Sequence, residues 1–503
     1  MSAERTRERG LELLEAEVAR DLENLCRPAG NWVPPRIRNG EKVVDVVIIG
    51  GGMCGLTVWF ALQTMGLRNA RILDRNAAGR EGPWLNYARM ETLRSPKQLV
   101  GPAFGMGSLT FRAWFTARFG EDAWSGLDKI PRPMWMEYLR WYREVLSVPV
   151  ENDVNVDAIL PEGELLRLHL SGKGASSASL LARKVVMATG RDGTGHPNIP
   201  AFVAGLDRKW WAHSADAIDF ARLRGKRVVV VGVGASAVDN AAEALEAGAA
   251  EVRHLIRRGE MPTVNKMMGI GSPGFTAGFP DLPDAWRWRF MHYSMVTQTP
   301  APRGSTLRVS RHPNAYFHFG KAVESVRETG DAITIELSDG GRLAADYLIL
   351  GTGFTVEPLA RTEFPGYADK ILLWKDRYTP PPEERHGELG NFPYLAPDFS
   401  FQERLAGEAP WLTHIHCFNY GASVSLGKVS GDIPGISEGA AWLSRGIASR
   451  LYGEDVEVHF QAMLDYSKPE LLGDEWTPSA LNVREREQQD MGVVRQEGEL
   501  KAQ

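Results

Sequence analysis

Two glycine clusters stand where the chain can bring its backbone against a phosphate. Gly50-Gly51-Gly52-Met53-Cys54-Gly55 fits Gly-x-Gly-x-x-Gly. In that pattern Gly50 permits a tight turn, Gly52 leaves room for a pyrophosphate, and Gly55 lets helix and strand pack closely. Asp74 closes the next apolar run and is followed by Arg75. Its carboxylate stands where ribose hydroxyls would donate to it. The second cluster, Gly232-Val233-Gly234-Ala235-Ser236-Ala237, has alanine in place of the third glycine, and the run after it ends in Arg257 and Arg258 rather than a carboxylate. A carboxylate would repel a 2′-phosphate, whereas guanidinium groups bind one through charge-assisted hydrogen bonds. The pair of motifs therefore predicts two dinucleotide sites, the second preferring NADPH to NADH.

These residues need strand-turn-helix units to hold them. Val43 to Gly50 reads as a buried strand, Leu56 to Leu67 as a helix and Ala70 to Asp74 as a second strand. The same order recurs in Lys226 to Gly232, the helical run after Gly234, and Glu251 to Arg257. Two further apolar strands, Val185 to Gly190 (VVMATG) and Tyr347 to Gly353 (YLILGTG), end in Thr-Gly. If each returns the chain to the first domain, the second domain is inserted into it, entered near Thr189 and left near Gly351. Thr189, Gly190 and Gly353 then stand at cofactor-facing strand ends. The expected fold is α/β, with two Rossmann-like domains. Residues 1–42 form an added helical extension, 43–190 and 351–470 the two parts of the first domain, 191–350 the inserted domain, and 471–503 a polar tail.

Composition narrows the partners. The 503 residues are 43% hydrophobic and 24% charged, which is ordinary for a globular chain. With 58 Lys and Arg against 63 Asp and Glu, the net charge of −5 does not suit a nucleic-acid binder. Cys26, Cys54 and Cys417 are too few and too scattered for a disulfide framework, a Cys-x-x-Cys redox pair or a cysteine zinc site. His414 and His416 lack nearby carboxylates, so no metal is expected. No apolar run approaches bilayer-spanning length, and a cytoplasmic location is expected. The tryptophans between 114 and 141, with Trp286 and Trp288, read mainly as core.

The succession GGGMCG, VVMATG, GVGASA and LILGTG resembles the flavin-containing monooxygenase superfamily over roughly residues 43 to 450. The resemblance implies FAD in the first domain and NADPH in the second. Gly82-Pro83-Trp84 resembles the family's Gly-x-Trp, which places Gly82 and Trp84 near the flavin. The stretch YARMETLRSPKQLV resembles the segment beneath the isoalloxazine ring, with Arg94, Ser95 and Lys97 as pocket residues. Gly431-Asp432-Ile433-Pro434-Gly435 resembles the Gly-Asp box of related reductases, with Asp432 toward the ribityl chain. The chain departs from the family in reading Thr92-Leu93-Arg94-Ser95-Pro96-Lys97 where Thr-Asn-x-Ser-Lys is common. It also keeps only His213-Ser214 of a longer signature, for which a structural role orienting the linker is expected. The implied reaction is NADPH reduction of FAD, oxygen addition at flavin C4a, and transfer of one oxygen atom to a small molecule. Nitrogen or sulfur is the favoured acceptor. The alternatives are a Baeyer-Villiger enzyme, whose arginine would come from Arg303, Arg308 or Arg311, an NADPH-dependent reductase, and a noncatalytic sensor. The partners are a small-molecule substrate and molecular oxygen; a homo-oligomer is left open.

Overall fold

The computed structural model describes residues 3–191 and 193–477. Strand β2 (Glu41–Ile49) is buried from Val43 onward, and its run of Val and Ile suits a parallel sheet covered on both faces. After the glycine turn come helix α2 (Met53–Thr64) and strand β3 (Ala70–Leu73), which pairs parallel with β2 from Val46 opposite Ala70. The first sheet has the order β4-β3-β2-β7-β6-β5, with β4 (Val150–Glu151), β5 (Asn155–Glu162), β6 (Leu165–Ser171) and β7 (Ser179–Met187). The short β1 (Ile37–Arg38) adds to β2.

The second sheet has the order β11-β10-β9-β15-β8 and is parallel throughout. It is built from β8 (Trp211–His213), β9 (Arg227–Val231), β10 (Glu251–Ile256), β11 (Ala315–Phe319) and β15 (Tyr347–Leu350). Between β9 and β10 runs helix α6 (Ala235–Glu246). Helices α7 (Pro273–Gly278), α8 (Asp284–Thr297) and α9 (Arg303–Ser310) connect β10 to β11. A three-stranded antiparallel meander of β12 (Val323–Thr329), β13 (Ala332–Leu337) and β14 (Arg342–Ala345) precedes β15.

One expectation is corrected here. The Tyr347–Leu350 strand does not return the chain to the first sheet: Leu348 pairs with Val229 on one side and Trp211 on the other. The returning strand is β16 (Ile415–His416), whose two residues pair with Val185 and Val186 of β7. The second sheet is still nested within the first, between β7 and β16.

Helix α1 (Ala3–Asn24) forms the first part of the expected helical extension. It buries Leu14 and Val18, and Gly10 lets it approach α3 (Phe111–Phe119) so closely that a Cβ there would lie 1.9 Å from the Ala117 carbonyl oxygen. Trp114, Trp124 (in α4, Glu121–Gly126) and Trp135 (in α5, Arg132–Val145) are buried in one aromatic cluster; Trp288 is also buried, but Trp286 is 49% exposed. A long helix runs Ile436–Glu454 near the end of the first sheet's domain. A compact unit ends at Leu451, ahead of the expected boundary at 470. The helix Val456–Asp465 that follows has no buried residue. Most of the 471–503 tail lies outside the described residues.

Candidate functional site

The first turn is made of glycines for three separate reasons. Gly50 has φ of +105°, and a Cβ on it would meet the Ala188 carbonyl oxygen at 2.5 Å. A Cβ on Gly55 would come within 1.8 Å of the Gly50 carbonyl oxygen. Gly52 caps α2 with no side-chain bond to the first-turn N–H groups, and a Cβ there would stand 3.4 Å from the Gly82 backbone across a cleft. Asp74 is buried, and its carboxylate accepts from the N–H groups of Gly51 and Asn76, each at 2.7 Å. Burial raises its pKa, while the bonds from Asn76 and Gly51 hold it down.

A cleft of about 310 Å³ runs past this turn. Of the expected residues, Gly50, Gly52, Met53, Cys54, Asp74, Arg75, Gly82, Trp84, Thr189, Gly190 and Asp432 line it together. Gly51 and Gly55 shape the turn from behind. Trp84 has a buried indole N–H with no protein acceptor. Asp432 makes no side-chain cap to the turn Ile433–Gly435, so its carboxylate is not used as a local cap at the cleft wall. Cys54 donates to the Ser430 carbonyl, and burial first, then Asp432, pushes its thiol up to about 12. Sequence reasoning missed Tyr420, Arg361 and Glu363 of the same lining. The last two form an ion pair within a loop, where no periodicity or motif marks them.

The second turn repeats the first. Gly232 has φ of +116°, and its Cβ would lie 2.6 Å from the Gly351 carbonyl oxygen. The alanine at the third position is matched on the neighbouring strand: a Cβ on Gly351 would come within 2.4 Å of the Ala237 Cβ. Ala237 thus packs its methyl against a glycine, Gly351, whereas at the first turn Gly55 packs against the Gly50 carbonyl. Gly234 caps α6, whose first turn carries Ala235 and Ser236, and no side chain bonds its N–H groups. Arg257 is exposed at the end of β10, while Arg258 donates through Nη2 to the Val296 carbonyl at 2.8 Å. Gly353 does not line the first cleft. Its carbonyl accepts from Asn198 N–H and His213 Nε2, each at 2.9 Å, and His213 Nδ1 accepts from Ala215 N–H. With both ring nitrogens engaged and the ring buried, His213 ties the crossing between the sheets. Burial lowers its pKa.

The expected pocket residues Arg94, Ser95 and Lys97 share a loop but do not line the cleft. Arg94 donates to the Pro300 carbonyl. Burial lowers its pKa, and the charges of Asp239 on α6 and Asp432 at the cleft oppose that shift. Lys97 donates to the Trp124 carbonyl at 2.6 Å and lies over its ring at 4.9 Å, beside a separate surface depression with Gln98, Asp128 and Lys129. Arg308, on α9, is held by Glu243 at 3.0 Å and Glu246 at 2.6 Å, and Arg311 by Glu246 at 3.1 Å. Two of the three arginines considered for Baeyer-Villiger chemistry are thus engaged by carboxylates. Among the described residues no three His, Cys, Asp or Glu side chains gather as metal ligands, and no helix is long and apolar enough to cross a membrane.

Comparison with known proteins adds the lineage. The family described as pyridine nucleotide-disulphide oxidoreductase matches residues 47–269. A protein named FAD-dependent urate hydroxylase, from Xanthomonas campestris pv. campestris, is 36% identical over 463 residues, covering 92% of this chain and 97% of that one. Among solved structures, the reduced form of ornithine hydroxylase from Pseudomonas aeruginosa aligns with a TM-score of 0.63 at 17% identity, over 81% of this chain and all of the other. Bacillithiol disulfide reductase from Staphylococcus aureus aligns with a TM-score of 0.54 at 16% identity, over 81% and 98%. At such identities the two structures establish the shared fold alone. The relative that matches along nearly its whole length, together with the nested glycine turns, places this chain in the flavin-containing monooxygenase superfamily, as an oxidoreductase.

Proposed function

We propose that the chain is an FAD- and NADPH-dependent monooxygenase that inserts one atom of molecular oxygen into a small-molecule substrate. The observation that carries this reading is the single cleft lined by Gly52, Gly82, Asp74, Trp84 and Asp432. The fit to FAD is specific. Two glycines face each other where a pyrophosphate must pass, the first-turn N–H groups of α2 lie at the same end, and Asp74 still has lone pairs for ribose hydroxyls. Bound FAD would supply the redox chemistry, accepting a hydride from NADPH and activating oxygen. The protein's own part is to bind, orient and exclude water. Arg257 and Arg258 receive the 2′-phosphate, Gly234 gives the second pyrophosphate its approach, and His213 fixes the crossing between the two sites. Of Arg94, Ser95 and Lys97, Arg94 is the one proposed to act at the junction, because it bonds the Pro300 carbonyl and feels the charge of Asp432 at the cleft.

The acceptor is a nitrogen or sulfur centre, or the ring of a urate-like heterocycle. The last is favoured by the urate hydroxylase relative. A disulfide reductase would need a redox-active cysteine pair; instead Cys54 and Cys417 are free, buried and both pushed up to about 12 by burial. The unpaired cysteines also fit a cytoplasmic setting. NADPH oxidation measured with urate, an amine, a sulfide and a ketone, with product masses, tests the proposal. Turnover that requires a disulfide and leaves all four compounds unchanged would refute it.

A further inference from the structure

The space in front of Gly234 is open except for one group. A Cβ built on Gly234 meets a single atom within 4 Å, the side-chain amide nitrogen of Gln298, at 3.6 Å. Gln298 directly follows helix α8 and has φ of +55° and ψ of 135°. That is a conformation few residues other than glycine adopt, and such strain persists only where the surroundings impose it. Here the backbone is held on both flanks. Arg258 Nη2 donates to the Val296 carbonyl at 2.8 Å, and Arg94 Nη2 donates to the Pro300 carbonyl. One arginine comes from the 2′-phosphate position and the other from the loop beside the flavin cleft. The 296–300 segment is therefore a strap pinned across the second glycine turn.

We propose that Gln298 is a pyridine-nucleotide contact, its amide held over Gly234 to donate to the coenzyme pyrophosphate. The inference rests on the reading of the second turn as the NADPH site and assigns that site a residue outside its motif. The strap also links the coenzyme's two ends. Arg258 pins the strap through Val296 and stands with Arg257 where the 2′-phosphate arrives, so a phosphate drawing on Arg258 bears on the segment that presents Gln298. Neither the glutamine's position in the sequence nor any local pattern announces this role; the positive φ and the open glycine do.

The test is calorimetric titration of FAD-loaded protein with NADP⁺ and, separately, with adenosine 2′-monophosphate. The second ligand has the 2′-phosphate and lacks both phosphates of the pyrophosphate. Gln298→Glu places a negative charge against the pyrophosphate and should weaken NADP⁺ about 30-fold or more, while Gln298→Ala removes only the donor and should weaken it about 5- to 20-fold. Both variants should bind the monophosphate within about twofold of the native protein and keep the native FAD absorbance. NADP⁺ binding unchanged in both variants overturns the assignment of Gln298 alone. Equal weakening of both ligands overturns it too, because a collapsed strap, and not a pyrophosphate contact, would be the cause. Native protein that binds neither ligand overturns the reading of the second turn itself.

Discussion

Gly52 and Gly55 lie three residues apart in one motif, yet replacing them should fail in different ways. A Cβ on Gly52 stays 3.4 Å from the Gly82 backbone, a contact that needs only a slight adjustment. The exchange of glycine for valine at this helix cap costs about 1 kcal/mol of stability. The branched methyls of Gly52→Val, however, fill the side of the cleft where FAD pyrophosphate must meet the first-turn N–H groups of α2. Losing two charge-assisted bonds of about 1.5 to 3 kcal/mol each weakens FAD by at least ~100-fold. A Cβ on Gly55 would instead lie 1.8 Å from the Gly50 carbonyl oxygen, so Gly55→Ala must push helix from strand at a cost of about 3 kcal/mol or more. The assay is FAD stoichiometry from absorbance, paired with thermal unfolding of the flavin-free proteins, so that ligand stabilisation does not enter the comparison. Gly52→Val should lose its colour and keep its unfolding temperature within a few degrees; Gly55→Ala should show a clear drop in that temperature. Stoichiometric FAD in Gly52→Val would show that the first turn does not hold the pyrophosphate.

Three further outcomes are expected. NADPH should be preferred to NADH by about 10- to 100-fold in kcat/KM, and Arg257→Glu should shrink or reverse the ratio; native enzyme using both equally would remove the 2′-phosphate assignment. Arg94→Met should raise the hydrogen peroxide released per NADPH consumed more than Lys97→Met does, since Arg94 feels the charge of Asp432 at the cleft whereas Lys97 is bonded to the Trp124 carbonyl beside a separate depression; the reverse order would restore Lys97 as the more important pocket group. Stability should fall as pH drops from about 6.5 toward 4, because burial lowers the folded pKa of His254 to about 4 and the unfolded chain then binds the extra proton. This contribution, of order 3 kcal/mol at most, is present above the unfolded value of 6.5 and lost on acidification. His254 stacks on Phe317 at 4.9 Å, so His254→Phe should flatten the slope of unfolding temperature against pH; an unchanged slope would assign the acid sensitivity to other groups.

The glycine turns and Asp74 were legible in the sequence because each is dictated locally. Positive φ at Gly50 and Gly232 and the pyrophosphate's demand for Gly52 leave few residue choices. The side on which Tyr347–Leu350 pairs was not legible, since a buried parallel strand has the same apolar pattern in either sheet. Its true counterpart in the first sheet, β16, is two residues long and carries no periodic signal. Long-range contacts were equally silent. The bond from Lys97 to the Trp124 carbonyl and the approach of Gln298 to Gly234 join segments that meet only in the folded chain. The contact between Ala237 and Gly351 lies between these cases. Each residue is visible in the sequence, but their pairing requires the strand order.

The most direct test of monooxygenation is the fate of isotopically labelled molecular oxygen. With NADPH as reductant and urate as the first substrate, followed by the amine and sulfide, the product should carry one labelled oxygen atom for each NADPH consumed, read by mass spectrometry. NADPH oxidation that leaves every product free of label, with the oxygen recovered only as peroxide or water, would contradict the account.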